Sequence, residues 1–208
     1  MEIKFNKAYF TGGELKQLKK LVNSKELESN GKFTRKASLY LEKKYNLKKA
    51  LITHSCTGAL ELAALSLNLK NNDEIIAPSY TYPTSVSAFI RAGAKVKYAD
   101  IDLNTLSLNI NDVKKKITKK TKAVVVTNYG GISCDLIKLR KFLKKKKIFL
   151  VEDNAQGLNS QIKGKYLGTL GDFGCISFHV TKNIHCGAGG ALFINNKKFI
   201  DKTIEIWD

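Results

Sequence analysis

The chain has 208 residues, 43% of them hydrophobic, which suffices for one sizeable core but not for several large domains. No apolar run reaches the roughly 20 residues of a membrane-crossing helix, and the opening MEIKFNKAYFTGGEL carries no hydrophobic leader, so a cytoplasmic protein with no membrane partner is expected. A formal net charge of +18 would ordinarily raise nucleic acid as a partner, yet only Arg35, Arg91 and Arg140 among 36 basic residues are arginine. Lysine lacks the planar fork that reads bases and phosphates, so a solvated lysine-rich surface is expected and nucleic-acid binding is excluded as the first reading. The four cysteines, Cys56, Cys134, Cys175 and Cys186, form no Cys-x-x-Cys pair, which points to reduced thiols.

In chain order, residues 12–22 place Leu15, Leu18, Leu21 and Val22 at the spacing of an amphipathic helix. A polar loop, NSKELESNGKFTRK, leads to a second helix over residues 37–45. From residue 50 onward, strand-like runs at 50–53, 74–77, 95–99, 122–127, 148–152 and 174–178 alternate with helical patterns at 57–67, 83–92, 110–117 and 134–145. That alternation predicts an α/β fold, a mostly parallel sheet covered by helices on both faces. Right-handed crossovers put the loops after the strands along one sheet edge, where open α/β folds bind ligands. The run 191–194 is joined to its predecessor by a loop with no helical pattern, so antiparallel pairing is expected there. FIDKTIEIWD enters a last helix.

Chemistry concentrates in CISFHVTKNIHCGAGGALFIN, which sets Lys182 in a short loop between two apolar runs. Upstream, FLVED delivers Asp153 at a strand end. A lysine and a carboxylate meeting in one crevice are what pyridoxal phosphate needs: an amine to hold the aldehyde as a Schiff base, and an acid to keep the pyridine nitrogen protonated. Ser55, Cys56, Thr57 and Gly58 between a strand and a helix offer backbone N–H groups and hydroxyls to a phosphate.

With SCTGALELAAL, PSYTYPTS, VEDNAQG, LGTLGDFGCISFHVTKN and GAGGAL in that order, the chain resembles the DegT/DnrJ/EryC1/StrS sugar aminotransferases among the fold-type-I pyridoxal-phosphate enzymes. SCT and SFHxTKN bring it nearest to the transaminases of nucleotide-linked 4-keto-6-deoxyhexoses. The likeness runs from about Phe5 to the end. It implies that residues 1–208 are the cofactor-binding large domain, ending before the small C-terminal domain of such enzymes. The implied activity is transfer of an amino group, with glutamate as expected donor, to a nucleotide-linked keto-deoxy sugar for cell-surface polysaccharide or lipopolysaccharide synthesis. A homodimer is implied as well.

Residue by residue, the resemblance makes Lys182 the Schiff-base lysine and proton shuttle, at a place where relatives that dehydrate carry histidine. Asp153 pairs with the pyridinium nitrogen, and Gln156 lies near the ring oxygen. Cys56 and Thr57 hold the phosphate, Ser177 adds a hydroxyl, and Tyr82 stacks on the ring. Read without the resemblance, the same residues are a surface lysine, a helix-capping aspartate, a polar loop glutamine, an ordinary Ser-Cys-Thr-Gly cap, a strand serine and a core or interface tyrosine. Cys175, His179, His185 and Cys186 cluster in sequence, but their spacing matches no zinc knuckle; no metal is expected, and His179 is placed near the cofactor. Two departures stand out: Asn128 replaces a histidine usual in relatives, and the chain is short. The rival expectation is therefore an inactive fragment that binds the cofactor or needs a separate C-terminal partner.

Overall fold

The computed structural model describes residues 6–208; Phe5, where the resemblance begins, lies outside the described residues. The elements run α1 (Glu14–Ser24), α2 (Lys32–Tyr45), β1 (Lys49–Thr53), α3 (Cys56–Ser66), β2 (Glu74–Pro78), α4 (Thr84–Arg91), β3 (Lys95–Ala99), α5 (Ile110–Lys116), β4 (Thr121–Thr127), α6 (Leu136–Lys145), β5 (Phe149–Asp153), β6 (Gln161–Ile162), β7 (Lys165–Tyr166), β8 (Phe173–Ser177), β9 (Gly190–Ile194) and α7 (Ile200–Trp207). Seven strands form one sheet in the order β1-β9-β8-β5-β4-β2-β3, and β6 and β7 form a separate hairpin. Within the large sheet β9 alone among the described strands is reversed, pairing antiparallel with β1 and β8.

The apolar runs of β4 and β5 are buried on both faces, as parallel strands under helices must be. Successive side chains alternate between faces. Ala123, Val125 and Val151 pack with residues of α3 and α4, whereas Val124, Val126 and Leu150 pack with Leu136, Leu139 and Leu143 of α6. A third cluster joins Leu41 and Tyr45 of α2 to Ala191 and Phe193 of β9. This parity carries to the strand ends. Thr127 and Asp153 follow the register of Val125 and Val151 and face α3 and α4; Glu152 faces the other way.

The sheet's two edges differ in chemistry. At the strand starts lie Lys49 of β1, Lys95 of β3, Lys119, Lys120 and Lys122 around the start of β4, and the lysines at 144–147 before β5. Because β9 is reversed, Lys197 and Lys198 after it reach the same edge. Asp73 and Glu74 offset part of that charge through Lys122 at 3.7 Å and Lys97 at 3.1 Å. The strand ends form the opposite edge, where the candidate site lies.

The expected strands and helices are found, with three differences. Helix α2 starts at Lys32 rather than at residue 37. α6 starts at Leu136, capped by Asp135, whose carboxylate accepts the Lys138 N–H at 3.0 Å. The β6–β7 hairpin was not anticipated. Among the described residues no helix is long and apolar enough to cross a membrane.

Candidate active site

The site starts at the turn from β1 into α3. Ser55 caps the helix, its hydroxyl accepting the Gly58 N–H at 3.0 Å, and the Thr53 hydroxyl donates to the Ser55 carbonyl at 2.8 Å. The N–H groups of Cys56 and Thr57 have no acceptor among the described residues, so two donors at the positive end of a helix dipole stay open. Gly190, the first residue of β9, packs against this turn so closely that a Cβ would lie 2.7 Å from the Cys56 nitrogen. Only a residue without a side chain lets β9 pass there.

Asp153 ends β5 and is 3% exposed. One carboxylate oxygen accepts the Ala155 N–H at 3.1 Å and the Cys56 thiol at 3.8 Å; the other accepts the Ser85 hydroxyl. Burial pushes its pKa above the ordinary carboxylate range, opposed by these donors and by the Lys182 amine. Burial, together with the Asp153 charge, raises the Cys56 and Cys175 thiols well above their usual value, which favours their protonated form.

Glu152, on the opposite face, is fully buried. It accepts the N–H groups of Gly168, Leu170 and Gly171 at 2.6–2.8 Å and the Asn128 amide at 3.2 Å. Burial pushes its pKa up while these four donors pull it down. The donors pin the segment after β7 and, through Asn128, the end of β4. The Asn128 amide also donates to Asn154 Oδ1 at 2.9 Å.

Between β8 and β9 the chain turns through the loop that carries Lys182. Phe178 N–H donates to Gly189 at 2.8 Å, Val180 N–H to Gly187 at 2.9 Å and Cys186 N–H to Phe178 at 3.0 Å. These bonds continue the β8–β9 hairpin beyond the sheet and lift the lysine over the strand ends. The segment before α1 crosses this loop: Asn6 donates to the Val180 carbonyl at 3.2 Å, and His185 Nε2 lies 2.9 Å from the Tyr9 carbonyl.

A cavity of about 550 Å³ opens at this edge, lined by Cys56, Thr57, Tyr82, Asp153, Gln156, Ser177 and Lys182, all seven residues singled out in the sequence. Gln156 accepts the Gly130 N–H through Oε1 at 2.7 Å, which turns its amide in a fixed direction. Ser177 accepts the His179 N–H at 3.2 Å. Tyr82 stands on the rim, 70% exposed. His179, also in the wall, pairs through Nδ1 with the Thr181 hydroxyl at 3.0 Å.

Four residues escaped the sequence reading: Ser85, Thr81, Thr127 and Glu152. The only signal for Thr81 and Ser85 was the richness of TYPTSVS in Ser and Thr, while Thr127 and Glu152 each read as one more strand residue.

The sequence profile of the DegT/DnrJ/EryC1/StrS aminotransferase family matches residues 10–207. The chain is 34% identical over 195 residues to GDP-perosamine synthase of Vibrio cholerae, covering 94% of this chain and 53% of that protein. Among solved structures, GDP-4-keto-6-deoxymannose-3-dehydratase with a trapped PLP-glutamate geminal diamine superposes with a TM-score of 0.92 at 25% identity, over 98% of this chain and 54% of the other. Helicobacter pylori PseC, an aminotransferase involved in the biosynthesis of pseudoaminic acid, gives 0.90 at 25% identity, over 98% and 55%. The chain thus spans about half the length of the relatives it matches.

Proposed function

The chain belongs to the DegT/DnrJ/EryC1/StrS aminotransferase family, and from that membership we propose that it forms the pyridoxal-phosphate-binding domain of a cytoplasmic sugar aminotransferase. The substrate of this reading is a nucleotide-linked keto-deoxy sugar, the amino donor is glutamate, and the product serves cell-surface polysaccharide synthesis. The carrying observation is that Lys182, buried Asp153 and the open amides of α3 line one cavity.

The residues present fit the cofactor. Two free N–H groups at a helix start, with the Thr57 and Ser177 hydroxyls nearby, suit a phosphate. Asp153 can accept from a protonated ring nitrogen, a charge-assisted bond in a buried site. Tyr82 offers an aromatic face to a flat ring, and Gln156 keeps its amide N–H₂ for the ring oxygen. Bound, pyridoxal phosphate supplies an aldehyde that takes up an amino group and a pyridinium ring that draws electron density from the reacting carbon. Lys182 Nζ would hold the cofactor's aldehyde and would move the proton at the carbon that gains or loses the amino group.

The dehydratase likeness offers a second outcome for the same pocket. Lys182 favours amino transfer, since a histidine at that place marks the dehydrating relatives. A homodimer belongs to the same reading, and the exposed Leu15, Leu18 and Val22 of α1 supply an apolar face for it. Adding pyridoxal phosphate to the purified chain is expected to give a yellow species that borohydride fixes to Lys182, located by mass spectrometry, and that Lys182→Ala lacks. A folded chain that binds no cofactor, or is labelled equally well in the variant, overturns the proposal.

A further inference from the structure

Three hydroxyls, two from the stretch entering α4 and one from the end of β4, stand in a row that ends on Asp153. The Thr127 and Thr81 hydroxyl oxygens are 2.6 Å apart, Thr81 donates to Ser85 at 2.8 Å, and Ser85 donates to Asp153 Oδ2. Thr81 and Thr127 line the cavity, while Ser85 is wholly buried. Each hydroxyl has a single proton to give. An ionised Asp153 therefore sets every bond in one direction: Ser85 gives to Asp153, Thr81 gives to Ser85, and Thr127 gives to Thr81.

From this geometry we infer that Thr127, Thr81 and Ser85 form a relay that orders protons at Oδ2 of Asp153 and gives that oxygen a second way to the cavity, beside the one the carboxyl's own place in the wall provides. Ser85 acts as a positioning residue for Asp153. The use of the relay rests on the cofactor-binding reading above, because the anion it favours is the partner of a protonated ring nitrogen. When Asp153 loses a proton, Oδ2–H gives it to Ser85 Oγ as Ser85 passes its own to Thr81, Thr81 to Thr127, and Thr127 to water in the cavity. One proton leaves, and each hydroxyl ends neutral with its direction reversed.

Besides Ser85 from α4, the groups facing Asp153 are Cys56 from α3, Cys175 from β8 and Lys182 from the loop after β8. The two thiols favour their protonated form. Among the described residues Ser85 is thus the one hydroxyl donor to the carboxylate, and a bond of that kind to a charged group is the stronger sort.

The relay is tested first in cofactor-free protein by following thermal unfolding against pH in wild type, Ser85→Ala, Ser85→Thr, Thr81→Val and Asp153→Asn. Burial raises the folded-state pKa of Asp153 above its unfolded value. The carboxyl accordingly contributes stability at low pH that is lost as pH rises through the window between the two. Asp153→Asn should lack this fall. Ser85→Ala removes a donor to the anion and should extend the fall to higher pH; Thr81→Val should do so less, and Ser85→Thr should restore the wild-type profile. In parallel, Ser85→Ala should weaken pyridoxal phosphate binding, read by visible titration, by about 10- to 100-fold.

Coincident pH profiles for wild type and Ser85→Ala, or unchanged cofactor affinity in that variant, overturn the relay. If Ser85→Ala does not fold, the Thr81→Val profile decides in the same way. If wild type binds no cofactor, the proposed function falls, and the pH profiles alone then judge the relay.

Discussion

Gly190 shows how a single missing side chain shapes the site. Gly190→Ala sets a methyl group against the Ser55 carbonyl and the Cys56 nitrogen, backbone atoms at the tight start of α3 that have little room to yield. Overpacking of this kind costs about 1–3 kcal/mol, so a thermal midpoint roughly 3–10 °C lower is expected by calorimetry. Gly13→Ala is the matched control, because a Cβ there meets only the Thr11 hydroxyl at 3.6 Å, and its midpoint should stay within about 2 °C of wild type. Equal falls in both variants would mean that the β9–α3 approach has slack. Lys182 and Asp153 could be picked out of the sequence because each ends or follows an apolar run and sits inside a recognisable stretch. The hydroxyl row could not: Thr81 and Ser85 are close in the chain, but Thr127 joins them only once β2 and β4 pair side by side, and nothing in residues 81–87 announces it.

Among the elements, α6 is fastened by an ion pair as well as by its leucines. Arg140 makes two bonds, at 2.5 and 2.9 Å, to Asp172, whose side chain is 2% exposed and which also accepts from Leu150 N–H and Asn196 at 2.8 Å. This carboxylate ties α6, β5 and the segment after β9 into one corner. Arg140→Ala leaves it buried with neutral donors only. Breaking a buried pair costs about 3–5 kcal/mol, and partial exposure of the arginine reduces that to roughly 2–3 kcal/mol. Chemical denaturation should show that loss, with Arg140→Lys in between; an unaltered midpoint for Arg140→Ala would sink the fastening role. The sheet order was less legible than the strands themselves. The Val-rich run of β4 and the FLVED of β5 announce buried strands, and the missing helix between β8 and β9 announces the reversal. The first turn of α2, KFTRK, has Phe33 as its sole apolar residue and gave no period to read. β6 and β7 span two residues each, too few for alternation to register.

For the whole molecule, the polarity of the sheet separates two kinds of surface. Every parallel strand ends toward the cavity and begins at the lysine-bearing edge, and the reversed β9 adds Lys197 and Lys198 to that edge. The molecule thus carries a row of lysines on the side of the sheet away from the cavity. Placed on a negatively charged support such as sulfonate beads, it should orient itself, settling by the far edge with the crevice facing outward. Adsorbed protein should then take up pyridoxal phosphate to the same extent as protein in solution, and added salt should lift it off without first emptying the site. Loss of uptake on adsorption would show the opposite attitude. A chain whose lysines are mostly solvent-facing filler would in this way carry its own handle.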